Sequence, residues 1–253
     1  KGCMFTSKDE EKSVDDLRNT IIERLKKYKQ ESGLLDDLLK PGEHAVLVIP
    51  TDSEAPEGRL ILPQIQVIRE CLDKGIFCHI TNEKNLEEML LSVKKVDMVV
   101  TDSQAFKAVN EIVPKNIPLT SFSILMARYK GSLESAIKGA EKMKNLNDGD
   151  TILISEGCTH HRQCGDIGTQ KLPKWLKEYS GKELNFKFTS GKDFPEDLNG
   201  ISLVVHCGGC MLTEREMQYR RRFCEENNVP ITNYGTAIAQ INGILDRSLQ
   251  PIK

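Results

Sequence analysis

From about residue 43 onward, short apolar runs alternate with segments of helical periodicity. The first run, at residues 45–51, is bounded by polar residues and is typical of a buried strand. Pro63 then stands where the first turn of a helix accepts proline. The pattern predicts four strands and three helices here: strands at 45–51, 76–81, 96–101 and 117–122, and helices at 64–72, 86–93 and 105–113.

A second run of the same alternation follows a helix at 132–144 and a turn-rich segment at 145–150. Strands that alternate with helices at this spacing predict βαβ units and parallel sheets. We therefore expect an α/β protein of two domains, each a parallel sheet flanked by helices, at 31–131 and 132–253. The predicted elements of the second domain are strands at 151–155, 184–188, 201–205 and 230–234, and helices at 172–179, 214–227 and 237–249.

The beginning of the chain has a different pattern from the two domains. Residues 14–28 are strongly charged but place Leu17, Ile21 and Ile22 on one face of a predicted helix. We expect residues 1–30 to form a helical N-terminal segment that is separate from both domains.

Composition excludes several classes of protein. The net charge is -2 and the pI about 6.3, with no basic stripe interleaved with aromatic residues, so nucleic acid is not an expected partner. The longest apolar runs have the length of a strand, which argues against a membrane span. Eight cysteines are too sparse for a disulfide scaffold and are partly clustered, so we expect metal or redox chemistry in a reducing cytoplasm.

Cysteines are clustered in two short segments of the second domain, at Cys158–Cys164 and at Cys207–Cys210. Each segment directly follows a predicted strand. Because the carboxyl ends of parallel strands meet in a crevice where ligands bind, the two segments are expected to form one site. Cys158, Cys207 and Cys210 would then supply three thiolates.

The chemistry of these segments leaves three interpretations open. Three cysteines with a different or exchangeable fourth ligand are typical of an iron–sulfur cluster, and a helix predicted to begin near Met211 would favour the thiolate form. A structural zinc site with His160 as fourth ligand also has acceptable spacing. The third interpretation is a thiol–disulfide redox protein that uses Cys207 and Cys210, because a CxxC motif that opens a helix after a strand also occurs in redox proteins.

A longer pattern resembles one family. Cys158-x-His160 is followed after 46 residues, the last of them His206, by Cys207-x-x-Cys210. This spacing resembles the signature of HydF, the [FeFe]-hydrogenase maturation GTPases. Residues 157–169 also look like that family's cluster loop, and residues 49–64 look like the opening of its dimerisation domain.

This resemblance implies a function for the chain. HydF-like proteins hold a [4Fe-4S] cluster and carry a diiron precursor of the hydrogenase H-cluster. They receive it through two radical-SAM maturases, deliver it to apo-[FeFe]-hydrogenase, and form homodimers through the first domain. By resemblance, Cys158, Cys207 and Cys210 are the cluster ligands, and the role is that of a scaffold, not of an enzyme.

The family also has a Ras-like GTPase domain, and its phosphate-binding motif GxxxxGK(S/T) does not occur here. Residues 1–30 resemble the last loop and helix of such a domain, so we expect them to be its remnant. GTP binding and hydrolysis are accordingly expected of a full-length protein and not of this chain.

The fourth ligand of the cluster stays open. His160, Cys164, Asp166 and His206 all lie near the three cysteines in sequence, and water is a further alternative. An exchangeable ligand would suit a carrier. Five further residues are expected to have a structural role. The cysteines are expected to be buried or to face the core, and the histidines have no partner pattern: Cys71, Cys78, Cys224, His44 and His79. The run Arg220–Arg221–Arg222 is expected to be a solvated helix face.

Overall fold

The computed structural model describes residues 7, 10–28, 33–51, 60–157 and 167–252. Residues 1–33 and 34–253 form two separate compact units. The described part of the first unit contains α1 (Glu11–Tyr28), which confirms the predicted N-terminal helix. Val14, Ile21 and Ile22 are exposed on it.

The second unit contains two four-stranded sheets in which every strand pairing is parallel. The predicted α/β fold with two parallel sheets flanked by helices is therefore confirmed. In the first sheet the strand order is β2-β1-β3-β4. Its elements are β1 (His44–Val48), α2 (Leu62–Lys74), β2 (Phe77–Thr81), α3 (Leu86–Ser92), β3 (Met98–Thr101), α4 (Phe106–Ile112), β4 (Leu119–Ser121) and α5 (Phe122–Tyr129).

The second sheet repeats this topology with the order β6-β5-β7-β8. Because the chain leaves β5 towards one edge and β7 towards the other, a crevice opens at the carboxyl ends of these two central strands. The elements are α6 (Leu133–Lys142), β5 (Thr151–Glu156), α7 (Leu172–Ser180), β6 (Asn185–Ser190), β7 (Leu203–His206), α8 (Glu214–Glu226), β8 (Ile231–Asn233), α9 (Tyr234–Ile241) and α10 (Leu245–Leu249).

One hydrophobic core joins the two sheets. Val46 and Val99 of the first sheet belong to the same buried cluster as Ile152 and Val205 of the second. Alternate residues of the strands, such as Leu47, face separate cores on the far side of each sheet. Strands β1, β3, β5 and β7 are thus buried on both faces, which explains why they read as continuous apolar runs.

Two of the differences from the predicted elements have a clear local cause. The strand predicted at 117–122 stops at Ser121, whose side chain accepts a hydrogen bond of 3.2 Å from the Ile124 backbone N–H and caps α5. The helix predicted at 237–249 is two helices, because Gly243 adopts a φ of 68° between α9 and α10.

Candidate metal centre

The CxxC turn, Cys207–Cys210, lies at the carboxyl end of β7. The backbone N–H of Cys207 still donates to the carbonyl of Ser155 on β5, at 2.9 Å, so the sheet ladder fixes the first cysteine. The chain then turns through Gly209, whose φ is 59°. Glycine suits this left-handed conformation, and a Cβ atom there would lie 2.4 Å from Met217 Sδ, so a larger residue would also displace that side chain.

The sulfur of Cys207 accepts backbone hydrogen bonds from both cysteine-bearing segments. Gly157 N–H donates to it at 3.0 Å and Gly209 N–H at 3.4 Å. Burial raises the pKa of the Cys207 thiol, while these two N–H groups act in the opposite direction. Such donors stabilise a sulfur that carries negative charge, which is the form that binds a metal.

Gly157 brings the end of β5 against the CxxC turn. A Cβ atom on Gly157 would lie 2.8 Å from Leu212 Cγ and 3.4 Å from Gly209 Cα. The backbone immediately before Cys158 therefore contacts the turn that contains Cys207. Cys158 itself lies outside the described residues, as do the predicted ligands His160, Cys164 and Asp166.

The chain returns to the same place after the undescribed segment. A Cβ atom on Gly168 would lie 2.5 Å from Glu156 Oε1 and 2.4 Å from Tyr234 Oη. The Tyr234 hydroxyl donates to Glu156 at 3.2 Å, and Glu156 is buried at the end of β5. The described glycines on either side of the segment 158–166, Gly157 and Gly168, are therefore both packed beside the carboxyl ends of the central strands.

His206 is the one predicted fourth-ligand candidate within the described residues. Its side chain is buried, and both ring nitrogens have partners: Nδ1 lies 2.7 Å from the carbonyl oxygen of Cys207, and Nε2 lies 3.0 Å from Arg220 Nη1. Because a guanidinium only donates, Nε2 accepts and Nδ1 donates to the carbonyl. Burial lowers the pKa of His206 to about 4, so the ring is neutral.

The arginine run is not the solvated face that the sequence predicts. Arg220 is fully buried: its Nε donates to Glu216 at 2.8 Å, its Nη2 donates to the Gly191 carbonyl at 2.8 Å, and its guanidinium lies 5.0 Å from the Phe194 ring centroid. Buried partners and a ring outweigh the hydration that an exposed arginine would have. The prediction was wrong for Arg220.

Other predicted structural residues have defined positions. Cys71 and Cys224 are fully buried, as expected, while Cys78 is partly exposed. His44 and His79 were expected to lack a partner pattern, but they stack and share a hydrogen bond of 2.9 Å between ring nitrogens. Parallel pairing of β1 with β2 brings these rings together, because it aligns His79 with Val46, two residues from His44 on the same face.

One residue at the site comes from the first half of the chain. The Nζ atom of Lys130, directly after α5, lies 3.0 Å from the Gly209 carbonyl and 3.5 Å from that of Gly208. The helix after the CxxC turn begins at Glu214, capped by Thr213, and not near Met211. Within the described ranges, a lysine that no local sequence signal reveals thus contacts the carbonyl groups of this turn.

The arrangement fits a metal centre with sulfur ligands. Cys207 and Cys210 are free and partly exposed at the crevice, and Cys207 already has two backbone donors on its sulfur. Within the described ranges no group of three or more His, Cys, Asp and Glu side chains is placed to hold a metal ion, and those ranges exclude 158–166.

No helix of the described chain is long and apolar enough to cross a membrane.

Comparisons with known proteins point to one family. The profile of the hydrogen maturase F dimerization domain matches residues 34–131, and that of the tetramerization domain matches residues 134–251. No curated protein matches the chain. A solved ABC transporter solute-binding protein from Burkholderia multivorans is 15% identical, with 85% of this chain and 93% of that chain covered and a TM-score of 0.25, which is too low to carry an argument.

Proposed function

Because this chain belongs to the hydrogen maturase F family and so has a role in hydrogenase maturation, we propose that it is an iron–sulfur scaffold and carrier. It holds a [4Fe-4S] cluster through Cys158, Cys207 and Cys210. It carries the diiron precursor of the H-cluster and delivers it to apo-[FeFe]-hydrogenase. Two radical-SAM maturases are the expected source of that cargo.

The hydrogen bond from Gly157 N–H to the sulfur of Cys207 carries the proposal. It places the backbone next to Cys158 against a second cysteine segment, at the crevice where β5 and β7 end. Glycines at 157 and 209 allow this close approach, and the two N–H donors favour a charged sulfur. These features support a shared site for the three cysteines.

Each described residue has a distinct part in this proposal. Cys207 and Cys210 bind the metal, and His206 fixes the carbonyl of Cys207 through its Nδ1–H. Arg220 holds the ring of His206 in that tautomer. When bound, the cluster supplies an iron whose fourth coordination position is exchangeable. His160, Cys164, Asp166 and water are the proposed alternatives for that position, because both ring nitrogens of the fourth candidate side chain, His206, already have other partners.

The thiol–disulfide alternative is less well supported. A redox cysteine that attacks disulfides needs a lowered pKa and access, whereas burial raises the pKa of Cys207. A zinc site with the same cysteines has the same sulfur ligands, so metal and sulfide content must separate it from an iron–sulfur cluster.

Both matched domains are named for self-association, and we propose that the chain forms at least a homodimer. β2 is an edge strand of the first sheet, and exposed apolar side chains are frequent on it and on the preceding α2. This edge, which has no partner among the described strands and exposes Phe77 and Ile80, is a suitable surface for pairing with a second copy.

The proposed function predicts that each of three single substitutions abolishes the cluster: Cys158→Ser, Cys207→Ser and Cys210→Ser. Serine keeps the size of the side chain but is a poor ligand for iron. After anaerobic reconstitution, we expect about four iron and four sulfide per parent chain, and at least about a tenfold loss of both in each variant.

Cys78→Ser is the matched control, because Cys78 is also partly exposed but lies in the first sheet. It should retain the iron and sulfide of the parent. A Cys207→Ser chain with a full complement of both would contradict the assignment. Zinc without sulfide in the parent would indicate the structural zinc site instead.

A further inference from the structure

Two carbonyl groups of the CxxC turn, those of Gly208 and Gly209, are directed at one ammonium group. Lys130 Nζ donates to the Gly209 carbonyl at 3.0 Å and approaches that of Gly208 at 3.5 Å. The Gly209 carbonyl also accepts from Leu212 N–H at 3.1 Å. Lys130 therefore binds the turn through its backbone, on the segment between the two cysteines.

Lys130 belongs to the part of the chain that follows the first sheet. Its backbone N–H donates to Met126 at 2.9 Å and so ends α5, which starts directly after β4. Its side chain is partly buried and reaches a turn 79 residues away in the sequence. The contact thus connects the first sheet's last helix with the cysteines of the second sheet.

The ammonium group of Lys130 lies in a partly buried position beside the CxxC turn. Burial lowers the pKa of Lys130, and the nearby Cys210, Cys207 and Glu214 act in the opposite direction. An added anionic group at these sulfurs would strengthen the same attraction, since the site is only partly open to water.

A second contact holds the same region from the other side. Arg221 on α8 donates to the carbonyl of Gly131, the residue after Lys130. Arg221 therefore helps to attach the turn at 130–131 to the second sheet, and its hydrogen bond goes to Gly131 instead of the CxxC turn. A substitution of Arg221 therefore removes this contact to Gly131 while the ammonium group of Lys130 stays in place.

From this geometry we propose that Lys130 is a positioning residue of the metal centre: it fixes the Gly208 and Gly209 carbonyls and places a positive charge beside Cys207 and Cys210. The inference rests on the proposed iron–sulfur function. A positive charge stabilises the reduced cluster more than the oxidised one, because reduction adds one negative charge. Lys130 should therefore raise the reduction potential.

Three substitutions separate the charge from the hydrogen bond. Lys130→Gln keeps a donor but removes the charge, Lys130→Met removes both, and Lys130→Arg keeps both. Each chain is reconstituted anaerobically and reduced stepwise with dithionite, which donates one electron to the oxidised cluster, while electron paramagnetic resonance follows the reduced form.

We expect Lys130→Gln and Lys130→Met to lower the equilibrium constant for reduction about tenfold, a shift of about 59 mV for a one-electron couple. Lys130→Arg should stay close to the parent. Lys130→Met should in addition release iron to a chelator at least about threefold faster than Lys130→Gln, because it also frees the two carbonyls.

Arg221→Gln is the control for a purely structural effect, and its potential should equal that of the parent. If Lys130→Gln and Lys130→Met load a cluster with the parent's potential, the inference is wrong. If the unsubstituted chain binds no cluster, the proposed function itself is wrong and the inference falls with it. Circular dichroism of every variant must match the parent, and rescue of both readouts by Lys130→Arg distinguishes positioning from folding.

Discussion

The guanidinium of Arg220 has no exposed surface and lies between Glu216, His206 and the carbonyl of Gly191. A buried charge is tolerated only when its donors are satisfied, and here an aromatic ring, that of Phe194, covers it as well. Through His206 the same side chain determines how the carbonyl of Cys207 is held. Its removal should therefore affect both stability and the metal centre.

We predict that Arg220→Met lowers the free energy of unfolding by about 3 kcal/mol, measured by urea denaturation. Methionine roughly keeps the length of the side chain, but the Nε2 of His206 and the Gly191 carbonyl lose their donors. Arg222→Ala is the matched control, because Arg222 is exposed on the same helix and should cost no more than about 0.5 kcal/mol. Equal losses in the two variants would contradict the role of Arg220.

At the residue scale, the sequence reveals a site when its residues are close in the chain or follow adjacent strands. Cys207 and Cys210 could be placed at a strand end for this reason. Lys130 could not, because its partner is 79 residues away and the lysine itself ends an ordinary helix. A run of three arginines predicts a solvated face, and nothing in it signals that Arg220 turns inward.

β2 is the element whose position has the clearest consequence for assembly. It pairs only with β1 among the described strands, so one of its edges is open. Phe77 is 55% exposed and Ile80 is 48% exposed, on opposite faces of this strand. An open edge with apolar side chains on both faces favours pairing with another strand.

We predict that Ile80→Lys weakens self-association at least about tenfold, equivalent to about 1.4 kcal/mol, as measured by sedimentation velocity. Lysine on an edge strand disfavours pairing because its charge would be brought against a second chain. Leu91→Lys serves as control, since Leu91 is 84% exposed but belongs to α3. Identical association in both variants and the parent would exclude the β2 edge.

At the scale of elements, most strands and helices could be predicted because buried parallel strands have an unmistakable apolar pattern. The exceptions have local physical causes. α5 begins where a strand was expected to continue, because Ser121 caps it. The apolar periodicity continues across Gly243 and therefore predicts one helix, but the positive φ of Gly243 separates α9 from α10.

The whole second unit is organised around a core to which both sheets contribute. Val46 on β1 and Val205 on β7 are fully buried in the same cluster. Neither sheet could keep its inner face away from water without the other. The sequence predicts two domains from its repeated pattern, but periodicity cannot show that their inner faces pack together.

We predict that the two sheets unfold together. Trp175, the only tryptophan, is on α7 of the second half and packs against the shared core, so its fluorescence reports on one side. Val46→Ala, in the other sheet, should lower the free energy of unfolding by about 2 kcal/mol. The urea midpoint measured by tryptophan fluorescence should fall as much as the midpoint measured by circular dichroism. Val205→Ala should behave in the same way.

An unchanged tryptophan midpoint in Val46→Ala, with a shifted circular dichroism midpoint, would show instead that the halves unfold independently. The comparison uses the main transition only, because α1 belongs to a separate compact unit.

The shared core also limits how such a protein can evolve. Domains that meet through polar surfaces can be exchanged between genes, whereas these halves present matched apolar shapes that must change together. A chimera that joins the first half of one relative to the second half of another should therefore be insoluble unless the contacting core residues are transplanted as a set. Natural variants of this chain are accordingly expected to inherit both halves as one unit.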